Sequence, residues 1–194
     1  QRARAILAEA RRVDDNLEQV WAEVDVIDGK YKEAIERLKG LRSETFDYFT
    51  HFYVKDQELG RIYQLTGDQE ASRKHCLAAL KILEAENARR PKDARVLASL
   101  GLVYARLGEK EKAVIFGKLA VDSNSADKVF LSHRIADLAE IYVLAGQQQR
   151  AINSLDELLS KPAFFSVRQM GIDPRWKSLR NQPAFQKLLQ KYSV

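Results

Sequence analysis

Apolar residues in this chain recur at helical spacing, in paired stretches separated by short polar turns that each hold a glycine. After Asp93, Leu97, Leu100, Gly101 and Tyr104 fall on one stripe at i, i+3, i+4 and i+7, which predicts a helix with Asp93 as its N-cap and a stop at Gly108. Glu109 and Lys110 open a second helix whose stripe is Ala113, Val114, Gly117, Ala120 and Val121, small residues that let two helix axes approach closely. The unit is a helical hairpin. Its glycine recurs at Gly29, Gly67, Gly108 and Gly146, spaced by 38, 41 and 38 residues. A period of this length built only of helical patterns predicts an array of helix pairs, each burying its faces against its neighbours.

The hairpin resembles a tetratricopeptide repeat, whose signature is Leu-Gly-x-x-Tyr on the first helix, Gly at the turn and Ala at two points on the second. Leu100-Gly101, Tyr104, Gly108, Ala113 and Ala120 fit it. So do Leu59-Gly60, Tyr63, Gly67 and Ala79, with Ser72 in place of one alanine, and Leu138-Ala139, Tyr142, Gly146 and Ala151. Around Gly29 only the second half matches, through Tyr31, Ala34, Ile35 and Leu38; Trp21-Ala22 and Asp25 replace the usual first-helix residues. The resemblance implies an all-α fold, an α-solenoid of helix-turn-helix repeats in a right-handed superhelix, with about four hairpins over 15–161. Residues 1–14 read as the second helix of a preceding repeat, so the array is expected to continue upstream of Gln1. Ser43–Phe49 and Ser125–Phe130 are expected to lengthen the first helices that follow them, deepening a groove or forming a ridge for self-association.

From 162 the pattern changes to a proline-punctuated segment with Phe164, Phe165, Trp176, Leu179, Phe185, Leu188 and Leu189 as anchors, expected to cap the last repeat. Gly171 to Leu189, including Asp173-Pro174-Arg175-Trp176, Leu179-Arg180, Pro183 and Phe185, resembles the end of a large bacterial family of tetratricopeptide regions. Those regions follow adenylate-type cyclases, serine/threonine kinases or winged-helix transcription regulators. Ile172, Lys177 and Gln182 depart from the family's string without disturbing a capping role. The resemblance, which also covers Leu100 to Leu159, implies a regulatory interaction module attached to such an effector.

Composition narrows the picture little, and charge more. The sequence has 45% hydrophobic and 30% charged residues, ordinary for a water-facing protein, with no run long enough to span a membrane. Its net charge of +5 lies wholly in 162–194, where six basic residues oppose Asp173 alone. With Trp176 and Phe185 beside that charge, base stacking by the tail is one alternative function. The lone Cys76 excludes an internal disulfide, fits a reducing, cytoplasmic setting, and falls on a packing stripe beside Ala79 and Leu80.

No glycine-rich phosphate loop is present, and His51, His75 and His133 are scattered, so no cofactor, metal site or catalytic set is expected. The expected activity is binding, not catalysis. First helices of such a superhelix line its concave face, and off their packing stripes lie Gln57, Arg61, Gln64, Arg95, Ala98, Leu102, Arg106, His133, Ala136 and Glu140. Three arginines there suggest an acidic or carboxylate-bearing peptide. Gln19 and Glu23 stand where chaperone-binding relatives use Lys and Asn, so that carboxylate clamp is absent. The expectation is a protein-interaction scaffold gripping a peptide or partner protein, with homodimerisation through Phe46–Tyr53 as a second alternative.

Overall fold

The computed structural model describes residues 15–124, 128–160 and 165–193, so the upstream helix expected over 1–14 lies outside the described residues. The order is α1 (Asp15–Ile27), α2 (Tyr31–Gly40), β1 (Thr45–Asp47), β2 (Phe52–Val54), α3 (Lys55–Thr66), α4 (Gln69–Arg89), α5 (Ala94–Arg106), α6 (Lys110–Ser123), α7 (Lys128–Leu144) and α8 (Gln148–Leu159). The C-terminal segment adds α9 (Val167–Ile172), a 3-10 turn (Pro174–Leu179) and α10 (Pro183–Tyr192). Helices α1/α2, α3/α4, α5/α6 and α7/α8 are four hairpins stacked side by side into an α-solenoid of helix-turn-helix repeats.

One turn, used four times, sets this geometry. Each periodic glycine has positive φ, from 74° at Gly29 to 86° at Gly67 and Gly108, a backbone region in which a Cβ is strained. At Gly108 its N–H bonds the Ala105 carbonyl at 3.1 Å and the next N–H reaches back to the Tyr104 carbonyl at 2.9 Å. Gly29, Gly67 and Gly146 make the same pair of bonds. This Schellman closure satisfies the last carbonyls of the first helix and turns the chain directly into the second.

Close helix approach follows from the small residues. A Cβ on Gly101 would stand 2.6 Å from Ile141 Cδ1 and 3.1 Å from the Ala113 carbonyl, so α5, α6 and α7 meet where any larger residue would have to push Ile141 and the α6 backbone aside. Ser72, the exception to the alanine pattern, is buried and donates its hydroxyl to the Gly60 carbonyl at 2.8 Å. The first hairpin replaces the missing tyrosine with buried Asp25, which accepts from Arg37 Nε at 3.1 Å.

The chain departs from helix at 45–54. Ser43–Phe49 is not a helical extension: it enters an antiparallel β-hairpin in which Phe46 pairs with Tyr53 and Thr45 with Val54. Phe46 joins the core between α1, α2 and α3, while Phe52 and Val54 join the core around α4 and α5, so the hairpin is a wedge between repeats. Alternation of buried and exposed side chains, at period two, overrides the helical reading. The corresponding extension at 125–130 is described only from Lys128, where α7 begins.

The C-terminal segment folds back over α7 and α8. Ser166 and Gln169 form a capping box at the start of α9. Trp176, Leu179, Phe185 and Met170, all with 0% exposure, seal Leu138, Tyr142, Ala151, Ile152 and Leu155. A repeat array needs such a cover because its last unit has no neighbour. Trp176→Ala is expected to cost about 3–5 kcal/mol in urea unfolding, with the loss appearing first as raised hydrogen exchange in α8 and α10.

Candidate partner groove

Helices α1, α3, α5 and α7 line one concave surface, and two other segments complete it. The hairpin tip stands at one rim, and Phe165, Gln169 and Arg175 of the C-terminal cap reach in at the other. The surface holds two adjoining cavities of about 480 and 460 Å³. The first is walled by uncharged rings. Tyr48, Tyr53, His51, His133 and Phe165 form successive ring contacts, with centroids 6.1, 5.1, 5.1 and 6.1 Å apart, from the hairpin to the cap. Val20, Val24, Leu102 and Ala136 supply aliphatic surface opposite them.

Charged side chains occupy the other side, and they are paired. Arg61 bonds both Glu23 and Glu58; Arg106 bonds Glu140, and Arg175 stands 3.8 Å from the same carboxylate while bonding Asp173 at 2.6 Å. Burial opposes a charge on Arg61, yet Glu23 and Glu58 hold its guanidinium well above the usual arginine range. Burial likewise opposes the charge on Asp173, but Arg175 holds that carboxyl below its ordinary range. These contacts tie the first hairpin to the second and the third to the fourth on their concave side, with the cap's Arg175 close to the last pair.

The hairpin tip is held by arginines of a different set. Arg134, with 1% exposure, donates to the Thr50 carbonyl at 2.5 Å and the Ala94 carbonyl at 3.3 Å, and stands 3.2 Å from Asp137. Arg95 bonds Asp47 at 2.6 Å and the Tyr48 carbonyl at 2.7 Å. Ser99 donates to the Phe52 carbonyl. The wedge is therefore anchored to α5 and α7, one and two repeats beyond the hairpin α3/α4 that it precedes.

Of the residues singled out in the sequence, Gln57, Arg61, Leu102, Arg106, His133 and Glu140 line the first cavity, and Gln64 lines the second. Arg95 lines neither; it points to the hairpin. Glu23 on α1 and Asp137 on α7 also line the cavity, as do His51 and Arg175, which local spacing could not reveal because hairpin and cap bring them in from a distance. Gln19 accepts from the Tyr48 hydroxyl at 3.4 Å. Within Phe46–Tyr53, Phe46 and Phe52 are buried, and Phe49, 83% exposed, packs on Phe130 at 4.8 Å. Trp176 and Phe185 are buried under the cap and cannot stack on bases. Burial pushes the Cys76 thiol up, as expected of a packing residue.

The family model for the tetratricopeptide repeat matches residues 53–126, the stretch from β2 to the end of α6 and just beyond. No curated protein matches the chain. Among solved structures, nearly identical TPR-like repeats described as a kinesin light chain of Podosopora anserina are similar over 90% of this chain and 91% of that one. The identity is 18% and the TM-score 0.45. Among the described residues no helix is long and apolar enough to cross a membrane.

The histidines give the groove a pH dependence. Burial pulls the His51 imidazole down to about 4, with Asp137 opposing and Arg134 and His133 reinforcing, and burial also lowers His133. An unfolded histidine takes its proton near pH 6.5, so the unfolded state binds more protons between there and pH 4. Stability is expected to fall as pH drops through that window, and His51→Gln to flatten the fall. Urea midpoints at pH 7 and pH 5 for both proteins check this.

Proposed function

We propose that this chain is a non-catalytic protein-interaction module that seats a peptide or partner segment in the concave groove. The observation that carries the reading is the groove itself: an uncharged aromatic wall facing an ordered row of paired charges, built by four repeats and closed by hairpin and cap. Such a surface offers apolar contact and fixed polar groups together, the mixture a peptide site needs. Tetratricopeptide repeats generally mediate protein–protein contacts, in keeping with the stretch that matches the family.

The partner need not be acidic. Arg61, Arg95 and Arg106, the three arginines that suggested an acidic peptide, each already have a carboxylate of this chain beside them. A carboxylate-bearing peptide would compete with those internal partners. The cap's resemblance to the ends of bacterial repeat regions supports placing the module behind a signalling or transcription effector, where groove occupancy would report a partner to the attached domain. A cytoplasmic setting fits the buried thiol of Cys76.

A randomised peptide library panned on the chain tests the reading. Peptides that bind are expected to lose roughly tenfold or more in affinity on Val20→Glu or Leu102→Gln, as expected where an interface hot spot is truncated, and to be indifferent to Ile115→Glu. Ile115 lies exposed on α6 and outside both cavities. Binding unaffected by all three substitutions contradicts the groove reading.

A further inference from the structure

The two cavities share four lining residues: Arg61, Arg106, Glu140 and Arg175. These side chains form the partition between them. Three belong to the repeat helices α3, α5 and α7, and Arg175 alone comes from the cap. The partition divides what would otherwise be one groove along the first helices.

Arg175 is held from its own side. Its backbone N–H bonds Asp173 Oδ1 at 2.9 Å, and its Nε and Nη2 bond Asp173 Oδ2 at 2.9 and 2.6 Å. Toward the groove it makes one long approach, Nη1 to Glu140 Oε2 at 3.8 Å, beyond hydrogen-bond reach. Glu140 gives its other oxygen to Arg106. The groove therefore presents the second oxygen of the Glu140 carboxylate to a guanidinium that stands too far away to bond it. If Arg175 swings aside it keeps Asp173, so its displacement strands no buried cation.

Charge gives the chemistry of what would replace it. With Arg175 committed to Asp173 and Asp137 to Arg134, the first cavity sets Glu23, Glu58 and Glu140 against Arg61 and Arg106, leaving one carboxylate in excess. Glu23 is the most accessible of them, with its side chain 42% exposed. Building on the groove reading above, we propose that Arg175 is a displaceable internal stand-in for a basic side chain of the partner. An arginine of the partner segment takes the Glu140 Oε2 position, its apolar neighbours lie along the aromatic wall, and the two cavities join into one continuous groove.

The test pans a randomised peptide library on the intact chain carrying Arg175→Ala, with Arg175→Gln as a second background and far-UV circular dichroism confirming unchanged helix content. Enriched peptides are expected to carry arginine, to bind the Arg175→Ala chain roughly tenfold tighter than the unsubstituted chain, and to lose that gain when arginine is replaced by citrulline or Glu140 by Gln, as for loss of one buried charge pair. Enrichment of acidic peptides, or equal affinity for both chains, overturns the proposal. If those peptides still respond to Val20→Glu and Leu102→Gln, the groove reading survives it; if none responds, both fail.

Discussion

The concave side of this array buries a pair of opposite charges, and that constraint organises the rest. Arg106 and Glu140 have side-chain exposures of 2% and 7%. A buried charge is tolerated only beside its opposite, and removing one member of such a pair typically costs about 3–5 kcal/mol. Glu23 of the first hairpin, Arg61 of the second, Arg106 of the third, Glu140 of the fourth and Arg175 of the cap stand in sequence across the surface. Nearest-neighbour packing alone would let each hairpin tilt on the next. Pairing of α1 with α3 through Glu23 and Arg61, and of α5 with α7 through Arg106 and Glu140, restricts that tilt within each half of the array to the curvature at which the carboxylates and guanidinia meet.

The β-hairpin adds a second restraint of longer reach. Phe46 packs with the first repeat and Phe52 and Val54 with the next, while Arg95 and Arg134 of later repeats bond its backbone carbonyls. A tip that touches α5 and α7 couples the entry to the second repeat with the third and the fourth. It also places His51 against His133, giving the groove its uncharged wall. The two sides of the groove thus have different chemistry for a structural reason: the ring wall is completed by the inserted hairpin, while all but Arg175 of the paired charges named above come from the repeats.

Local signals in the sequence disclose the repeat units well. Glycines with positive φ, the Tyr104 and Tyr142 positions and the small residues at Gly101 and Ala113 act over a few residues or one helix turn, and the solenoid follows from them. The buried anchors of the cap were legible for the same reason. The hairpin was missed although Phe46, Tyr48, Phe52 and Val54 alternate with more exposed neighbours, because a flanking helical period outweighed a short period-two run rich in aromatic and β-branched residues. The concave position of Arg61 and Arg106 was readable, but their partners were not. Glu23 lies in another hairpin from Arg61, as Glu140 does from Arg106, and such pairings are set by how repeats stack. Arg95 shows the limit: its helix face is right, and its side chain is turned away by Asp47, a residue of the hairpin.

The most direct measurement of this account is a double-mutant cycle on the pair that joins the third and fourth repeats, Arg106→Gln and Glu140→Gln, read as unfolding free energies in urea. If inter-repeat charge pairing holds the array in its curvature, each single change destabilises strongly and the pair shows a coupling of about 1 kcal/mol or more. A coupling near zero, with the two changes simply additive, would contradict it.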